Sequence, residues 1–522
     1  MAGESRVRGT ARLTCPARLA RLVPQLGVAL GALGAFAPAR ATAQGIRVLG
    51  TTVARYLELR PVVDDSVPVD SAIGTGSLRE TSRGVVARCV DGEAWCFYRR
   101  AADTRLTSLP LLQDLEATGW GLGQGMQAYA HLRVRASAGS DAAIWPQADD
   151  AFDLVAAYVD WERGRYRARA GRQYRSSGVG YASFDGVSAH ARAPWKGDAF
   201  SVDAWVGRSL VQGIHEPMTS TAISAVEDLA PQRVGILFGA EARWRPRPGV
   251  GLDVGYQRET RTDQWIYAER ISADGSARVG ASGSVDGAVE YDLATGDFNE
   301  ARLRAQHPVG GPLARAIGGR LGAFAELRRH HPFFELWTIW GAFSPVGFTE
   351  AAGGLAWSTA GARGSATLDA GWRRYDDTHT GIDVLPMKSD GWRLGLAGEW
   401  RARPTWVAHG AWRTEIGFGA ARTDGELGAR WQRDDDAWLG ATATVFQSVF
   451  EFRVGTGRVA GFGLDGGRRL RDDLRVTGDL ALYRHWYGDL APATDWSQRR
   501  ASIWLEWAVG PDAAASSRGV AR

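Results

Sequence analysis

The chain has 522 residues, 45% hydrophobic and 23% charged, with a net charge of +4 and a mean hydropathy of −0.23. Disorder, which needs low hydrophobicity combined with high net charge, is excluded, and beyond residue 45 no run stays apolar for the ~18 positions of a membrane helix. A pI near 9.0 would suit nucleic acid, but the positive charge is scattered arginine matched by 58 acids, so no polyanion partner is expected.

Lys196 and Lys388 are the only lysines, Trp (22) outnumbers Phe (17) and Tyr (13), and glycine reaches 66. The first 43 residues read as a secretory signal. Arg6, Arg8, Arg12, Arg18 and Arg21 supply the positive start, and Leu26 to Ala37 a short apolar stretch. Ala41-Thr42-Ala43 offers small residues for cleavage after Ala43. Cys15 lies before the apolar stretch. Cys89 and Cys96 flank Asp91-Gly92, a turn signal between two β-prone runs, which predicts a disulfide-linked hairpin in an oxidising compartment. The segment 61–120 that contains it is the largest irregular piece, an outer loop or an inward constriction.

From about Gly121 to Val509 the signal is strict alternation over 8 to 12 residues, which places one residue class on each face of a strand. Arg165, Arg167 and Arg169 alternate with Tyr166, Ala168 and Ala170; Arg243 and Arg245 flank Trp244. Arg393 and Glu399 form the polar face of a run whose other face carries Trp392, Leu394, Leu396 and Trp400. Arg413, Arg430 and Asp479 occupy the same kind of face in later runs. Many amphipathic strands build either stacked soluble β-domains or one closed membrane barrel. The tryptophans favour the barrel. Trp406 and Trp412 are six residues apart and Trp392 and Trp400 eight, which at ~3.3 Å per residue and a tilt of ~40° is roughly 15 and 20 Å. Those spans suit aromatic girdles at the edges of an apolar band of ~25 Å.

Connection lengths agree. Short turns at residues 162–164, 194–198, 246–249, 403–404, 434–436 and 471–472 alternate with long links at 139–150, 211–232, 331–349, 376–389 and 488–497. That alternation breaks between Arg261 and His307, where the runs 277–284 and 289–293 read as strands protruding beyond the membrane. The expected fold is therefore all-β, a single closed antiparallel transmembrane barrel over residues 44–510 with about 20 strands, 18 to 22 allowed and the number even. A polar tail, 511–522, follows. In lipid an unpaired edge has no water to satisfy it, so the run 46–60 should pair with 502–509.

Motifs for chemistry are sparse. His330-His331 lack partners at metal-ligand spacing and read as loop surface. Asp434-Asp435-Asp436 reads as solvated charge in a turn rather than a calcium loop. No nucleophile elbow or phosphate-cradling loop occurs, so no catalytic residue, metal or cofactor is expected. The aromatic run with Phe333, Phe334, Trp337, Trp340, Phe343 and Phe348 is too apolar for a free loop; a mouth constriction, a docking surface or a strand extension would each account for it.

Signal sequence, alternating strands, tryptophan girdles and alternating turns and loops together resemble the porin-like outer-membrane β-barrels of diderm bacteria. The likeness is architectural and covers most of residues 44–510. The chain departs from that pattern at its end, where Gly510-Pro511 and the tail follow the last strand, leaving Trp504 or Trp507 as its aromatic signal. The resemblance implies an outer-membrane location, lipid partners and passage of small hydrophilic solutes. Two alternatives remain beside it: a non-conducting barrel for envelope assembly, secretion or polymer export, and an outer-membrane hydrolase. Arg165, Arg167 and Arg169 read equally as a strip guiding anions or as wall-stiffening partners of carboxylates. Sequence leaves the solute and the oligomeric state open.

Overall fold

The computed structural model describes residues 45–510 except 61, 83–85, 91, 102–104, 140–151, 194–198, 211–234, 262–267, 281, 295, 313–317, 332–346, 360, 362, 377–388, 418–419, 435, 450–456 and 488–494. The expected signal segment and polar tail lie outside the described residues, as do Phe333, Phe334, Trp337, Trp340 and Phe343.

In chain order the strands are β1 (Gly45–Leu59), β2 (Val62–Pro68), β3 (Leu78–Glu80), β4 (Val86–Cys89), β5 (Trp95–Ala101), β6 (Leu106–Gly123), β7 (Met126–Gly139), β8 (Phe152–Arg163) and β9 (Tyr166–Ser177). They continue as β10 (Gly180–Ala193), β11 (Phe200–Ser209), β12 (Gly235–Arg247), β13 (Val250–Arg261), β14 (Ala268–Val279), β15 (Gly283–Asp292), β16 (Asp297–Val309), β17 (Gly319–His330) and β18 (Phe348–Thr359). The last are β19 (Gly364–Tyr375), β20 (Asp390–Arg403), β21 (Trp406–Gly417), β22 (Ala420–Gln432), β23 (Ala437–Val449), β24 (Gly457–Arg471), β25 (Leu474–Tyr487) and β26 (Trp496–Val509).

β1 and β6 to β26 form one 22-stranded sheet in which each strand pairs antiparallel with its neighbours, and β1 closes the ring by pairing with both β6 and β26. The closing register runs from Val48↔Val509 to Leu57↔Arg500, so every wall strand finds a partner on each side and the edge penalty in lipid is removed. The count is even because both ends of the chain leave the ring at the same rim. β14 and β15 belong to the ring, which corrects their reading as protrusions. They were hidden because the link 293–296 is short at the rim where long links prevail.

β6 corrects the irregular reading of the segment 61–120. Its sequence, with Pro110 and a dense leucine run, blurs the alternation, yet it pairs with β1 from Gly45↔Trp120 to Leu59↔Leu106. Residues 62–101 form a separate four-stranded sheet, ordered β2-β5-β4-β3. There Cys89 and Cys96 stand opposite each other on β4 and β5 and form a disulfide. Ala87 and both cysteines are its buried centre, with Val67, Val69, Ala72 and Tyr98 packed around them.

Alternation sorts the wall into two faces. One carries exposed apolar side chains such as Val187, Val206, Leu303, Leu327, Leu396, Leu427 and Leu480. On this face the distance between rims repeats from strand to strand. Trp244 and Ile236, Trp400 and Trp392, Trp406 and Thr414, Trp431 and Thr423, and Trp507 and Arg499 are each eight residues apart. At ~3.3 Å per residue and ~40° tilt, that is roughly 20 Å. The opposite face carries ion pairs that reach across several strands, and it lines the interior.

Candidate functional site

The β9–β10 hairpin does not follow the wall to its rim. Gly171, Gly186 and Gly207 stand in one row across β9, β10 and β11. A Cβ on Gly171 would lie 2.2 Å from the Ala157 carbonyl oxygen, one on Gly186 2.1 Å from that of Val206, and one on Gly207 2.6 Å from that of Asp185. Only glycine permits so close a backbone approach, and Gly171, at φ 130°, also adopts a conformation that side chains disfavour. The sheet creases along this row. Beyond it, β9 leaves β8, whose pairing stops at Ala157↔Arg172, while β9 and β10 stay zipped to Gly180↔Ser177.

The free tip folds inward. The Arg270 guanidinium on β14 donates to the Val179 carbonyl at 3.3 Å, and Val179 is fully buried. Gly178 presses on the same strand: a Cβ there would meet Asp274 Oδ2 at 2.2 Å and Ser272 Oγ at 2.5 Å. From β10 to β14 around the wall is four strand spacings, roughly 19 Å, so only a tip that has left the wall makes these contacts. A small apolar core of Ala182, Phe184, Trp205 and Leu237 forms between hairpin and wall. Arg175, whose guanidinium lies 4.4 Å from the Trp205 ring centre, donates to Asp203 at 3.2 Å and Glu241 at 3.0 Å. The tip is thus tied to the wall by hydrogen bonds, ion pairs and apolar contact together.

Below the crease lies a cavity of about 310 Å³ lined by Arg165, Arg167, Arg169, Arg175, Arg192 and Arg243, with His190, Ser188, Asp203 and Glu162. The charge arithmetic is lopsided. Asp160 on β8, 1% exposed, accepts from Arg167 at 2.9 Å and lies 3.5 Å from Arg169, so one carboxylate holds two guanidiniums. Arg169 also stacks over Tyr158 at 3.9 Å, and Gln127 donates to Asp160 at 3.0 Å. Glu241 binds Arg243 at 2.8 Å besides Arg175. The carboxylates fix the arginine orientations without neutralising the cavity.

No family model matches the chain, and no curated protein matches it. Among solved structures it is similar to Pseudomonas aeruginosa OccK7 (OpdD), at 9% identity over 90% of this chain and 100% of that one, with a TM-score of 0.39. Acinetobacter baumannii OccAB4 aligns at 7% identity over 90% and 100%, TM-score 0.34. A bacterial polysaccharide outer membrane secretin aligns at 12% over 52% and 90%, TM-score 0.29. Likenesses this loose carry no argument about activity, which has to come from the residues of this chain.

The structure brings Arg165, Arg167, Arg169 and Arg243 to one cavity and distributes the other expected lining residues around the wall. Arg245 pairs with Asp253 at 2.7 and 2.8 Å. Arg393 binds Glu350 at 2.6 Å and Asp369 at 3.4 Å. Glu350, 2% exposed, is also bonded by Arg373, which reaches Glu415; these groups clasp β18 to β21 together. Glu399 lies 4.0 Å from Arg401, Arg413 stands opposite Asp424 in register, Arg430 stacks over Trp438 at 3.8 Å, and Asp479 accepts from Ser502 at 2.8 Å.

Trp392, Trp400 and Trp406 lie on the exposed apolar face near its edges, whereas Trp412 pairs with Leu396, four residues from each of Trp392 and Trp400. Phe348, the one described member of the aromatic run, opens β18 and packs at a tilt against the His330 ring, centres 5.3 Å apart, beneath Arg373. His330 therefore ends a wall strand and bonds Glu300 at 3.0 Å, which corrects its reading as loop surface. Asp434 accepts from the amides of Asp436 and Ala437 at 2.9 and 3.1 Å, a turn-forming role. Sequence reasoning missed Asp160, Arg175, His190, Arg192 and the three-glycine row. The available signal was Gly171, which interrupts the Arg/Ala alternation of β9.

Proposed function

We propose that this barrel is an outer-membrane channel through which small hydrophilic solutes diffuse, with anions favoured at the constriction made by the β9–β10 hairpin. Support comes above all from the inward fold itself, which puts a guanidinium-lined cavity inside the ring. A ring of 22 strands is far wider than the ~8 whose interior side chains fill, and barrels of that size need something to narrow them. Here the wall supplies it: the tip bound to β14 takes up lumen, and the excess of arginine over carboxylate raises the local concentration of anions.

Transport requires no group transfer. A solute sheds little water in a polar lumen, meets guanidinium donors already oriented by their carboxylates, and leaves because no single site holds it tightly. The test is ion conductance of purified, folded protein in a planar lipid bilayer under a KCl gradient. Steady current with a reversal potential on the chloride side is expected. A folded barrel that passes no current at any voltage overturns the reading in favour of a non-conducting scaffold or export barrel.

A further inference from the structure

The hairpin's crease also shapes the outside of the barrel. Directly below it, the exposed face of β8 to β11 is hollowed. Ala168, Ala189 and Ala204 form one paired row, and Ala170, Val187 and Val206 the next. Val159 and Trp161 of β8 form the bank on one side. The hollow has a volume of about 490 Å³. Its lining is apolar apart from Arg169 and Ser188.

Next to it toward the rim is a charged row, in which Arg172, Asp185 and Arg208 stand in register on the same face. Arg172 is held by Asp185 through two bonds, 2.8 Å from Nε and 2.9 Å from Nη2, and also donates to the Leu154 carbonyl at 3.0 Å. Two guanidiniums and one carboxylate leave the row one positive charge in excess. It is level with Ile236, which pairs with Arg208 and lies eight residues from Trp244, so it marks the edge of the apolar band. Here, past Ala157, β9 has parted from β8, and the departing hairpin leaves room above the charges.

From this juxtaposition we infer that the outer face of β8 to β11 is a binding site for one anionic lipid of the surrounding leaflet, its acyl chain in the alanine-floored hollow and its phosphate on Arg208 and Arg172. The inference rests on the proposed outer-membrane location of the barrel. Charge complementarity selects the occupant: a neutral headgroup gains nothing from the excess guanidinium, and an ion without a chain leaves the hollow empty. Arg172 is pre-oriented by Asp185, so little conformational freedom is lost on binding.

The experiment uses the full barrel purified in dodecyl maltoside, with dodecyl phosphate as the probe and native mass spectrometry as the readout. One dodecyl phosphate per barrel is expected, retained in the presence of excess inorganic phosphate. Arg208→Gln should weaken it about tenfold, the size of one charge-assisted contact, and Ala204→Phe should abolish it by filling the hollow. Ala170→Phe, on a different strand, serves if Ala204→Phe does not fold, as judged by heat-modifiable migration. Displacement by inorganic phosphate, or equal binding in the folded Phe variants, overturns the proposal. The same preparations are tested for conductance: current without lipid binding sinks this site and spares the channel, while lipid binding without current does the reverse.

Discussion

The Val179 carbonyl accepts a hydrogen bond from the Arg270 guanidinium at 3.3 Å, although three strands stand between the β9–β10 hairpin and β14 in the ring. The contact joins a turn that should have been at the rim to a wall strand four places around the ring. It makes the inward-folded hairpin part of the barrel's own sheet rather than an added plug.

Enlarging Gly178 should unseat the tip. The nearest groups, Asp274 and Ser272, belong to a paired strand and have little freedom to retreat, so Gly178→Leu should cost about 1–3 kcal/mol through overpacking. Single-channel conductance should rise while the barrel remains folded. Conductance and melting temperature both equal to those of the unaltered protein would mean that the tip does not rest on β14.

Charge at the cavity should set selectivity. Replacing Arg165 and Arg192, both of which line the cavity, by Glu should move the reversal potential in a KCl gradient toward the potassium side. The triple change at Arg165, Arg167 and Arg169 should shift it further. A reversal potential that stays put in both proteins would place these arginines off the conduction path.

Glu350 is the keystone of a different part of the wall. Glu350→Ala leaves Arg373 and Arg393 facing each other without their shared carboxylate, and breaking a buried pair from one side costs about 3–5 kcal/mol. Arg393→Lys keeps the charge but loses the fork geometry, so its effect should be smaller. Heat-modifiable migration on a temperature ramp reads both; equal transition temperatures for Ala, Lys and the parent would refute the clasp.

Depth in lipid is testable at two exposed positions. Leu396 is four residues from both Trp392 and Trp400, and Leu396→Arg should destabilise the barrel by about 2–4 kcal/mol when folded into liposomes. Thr414→Arg, eight residues from Trp406, should cost about 0–1 kcal/mol. Equal penalties in urea titrations would contradict the band drawn from the tryptophan spacings.

Removing the disulfide should act locally. Closing the short loop between Cys89 and Cys96 stabilises the small sheet by about 2.5 kcal/mol in the chain-entropy account, so Cys89→Ser with Cys96→Ser should expose residues 62–101 to protease. Among the described residues the 22-stranded wall shares no ladder with that sheet, and its resistance to heat should be unchanged. A barrel that melts earlier would show that the two are coupled.

Much of the wall was legible in the sequence because a strand's faces follow from alternation alone. The clean runs around Arg167, Trp400 and Val476 announce which side chains share a face, and the turns at Gly164, Gly249 and Pro404 announce where strands end. Closure was equally legible: an open edge in lipid is costly enough that β1 and β26 had to meet. β6 was not, since Pro110 and its leucines obscure the period, and β14 and β15 were not, since their links break the short-and-long rule.

The candidate site depended on something else. Period two places Arg167 and Arg175 on the same face, but whether each meets Asp160, Asp203 or water depends on how far the sheet bends between them. That bend arises where Gly171, Gly186 and Gly207 fall side by side, and their sequence separation conceals the alignment. What the amino-acid order determined was a closed, two-faced wall, because strand geometry and the cost of an unpaired edge are local quantities. Only the tertiary structure decided that one hairpin turns inward to gather the arginines, because a crease exists only when residues from three strands occupy one row.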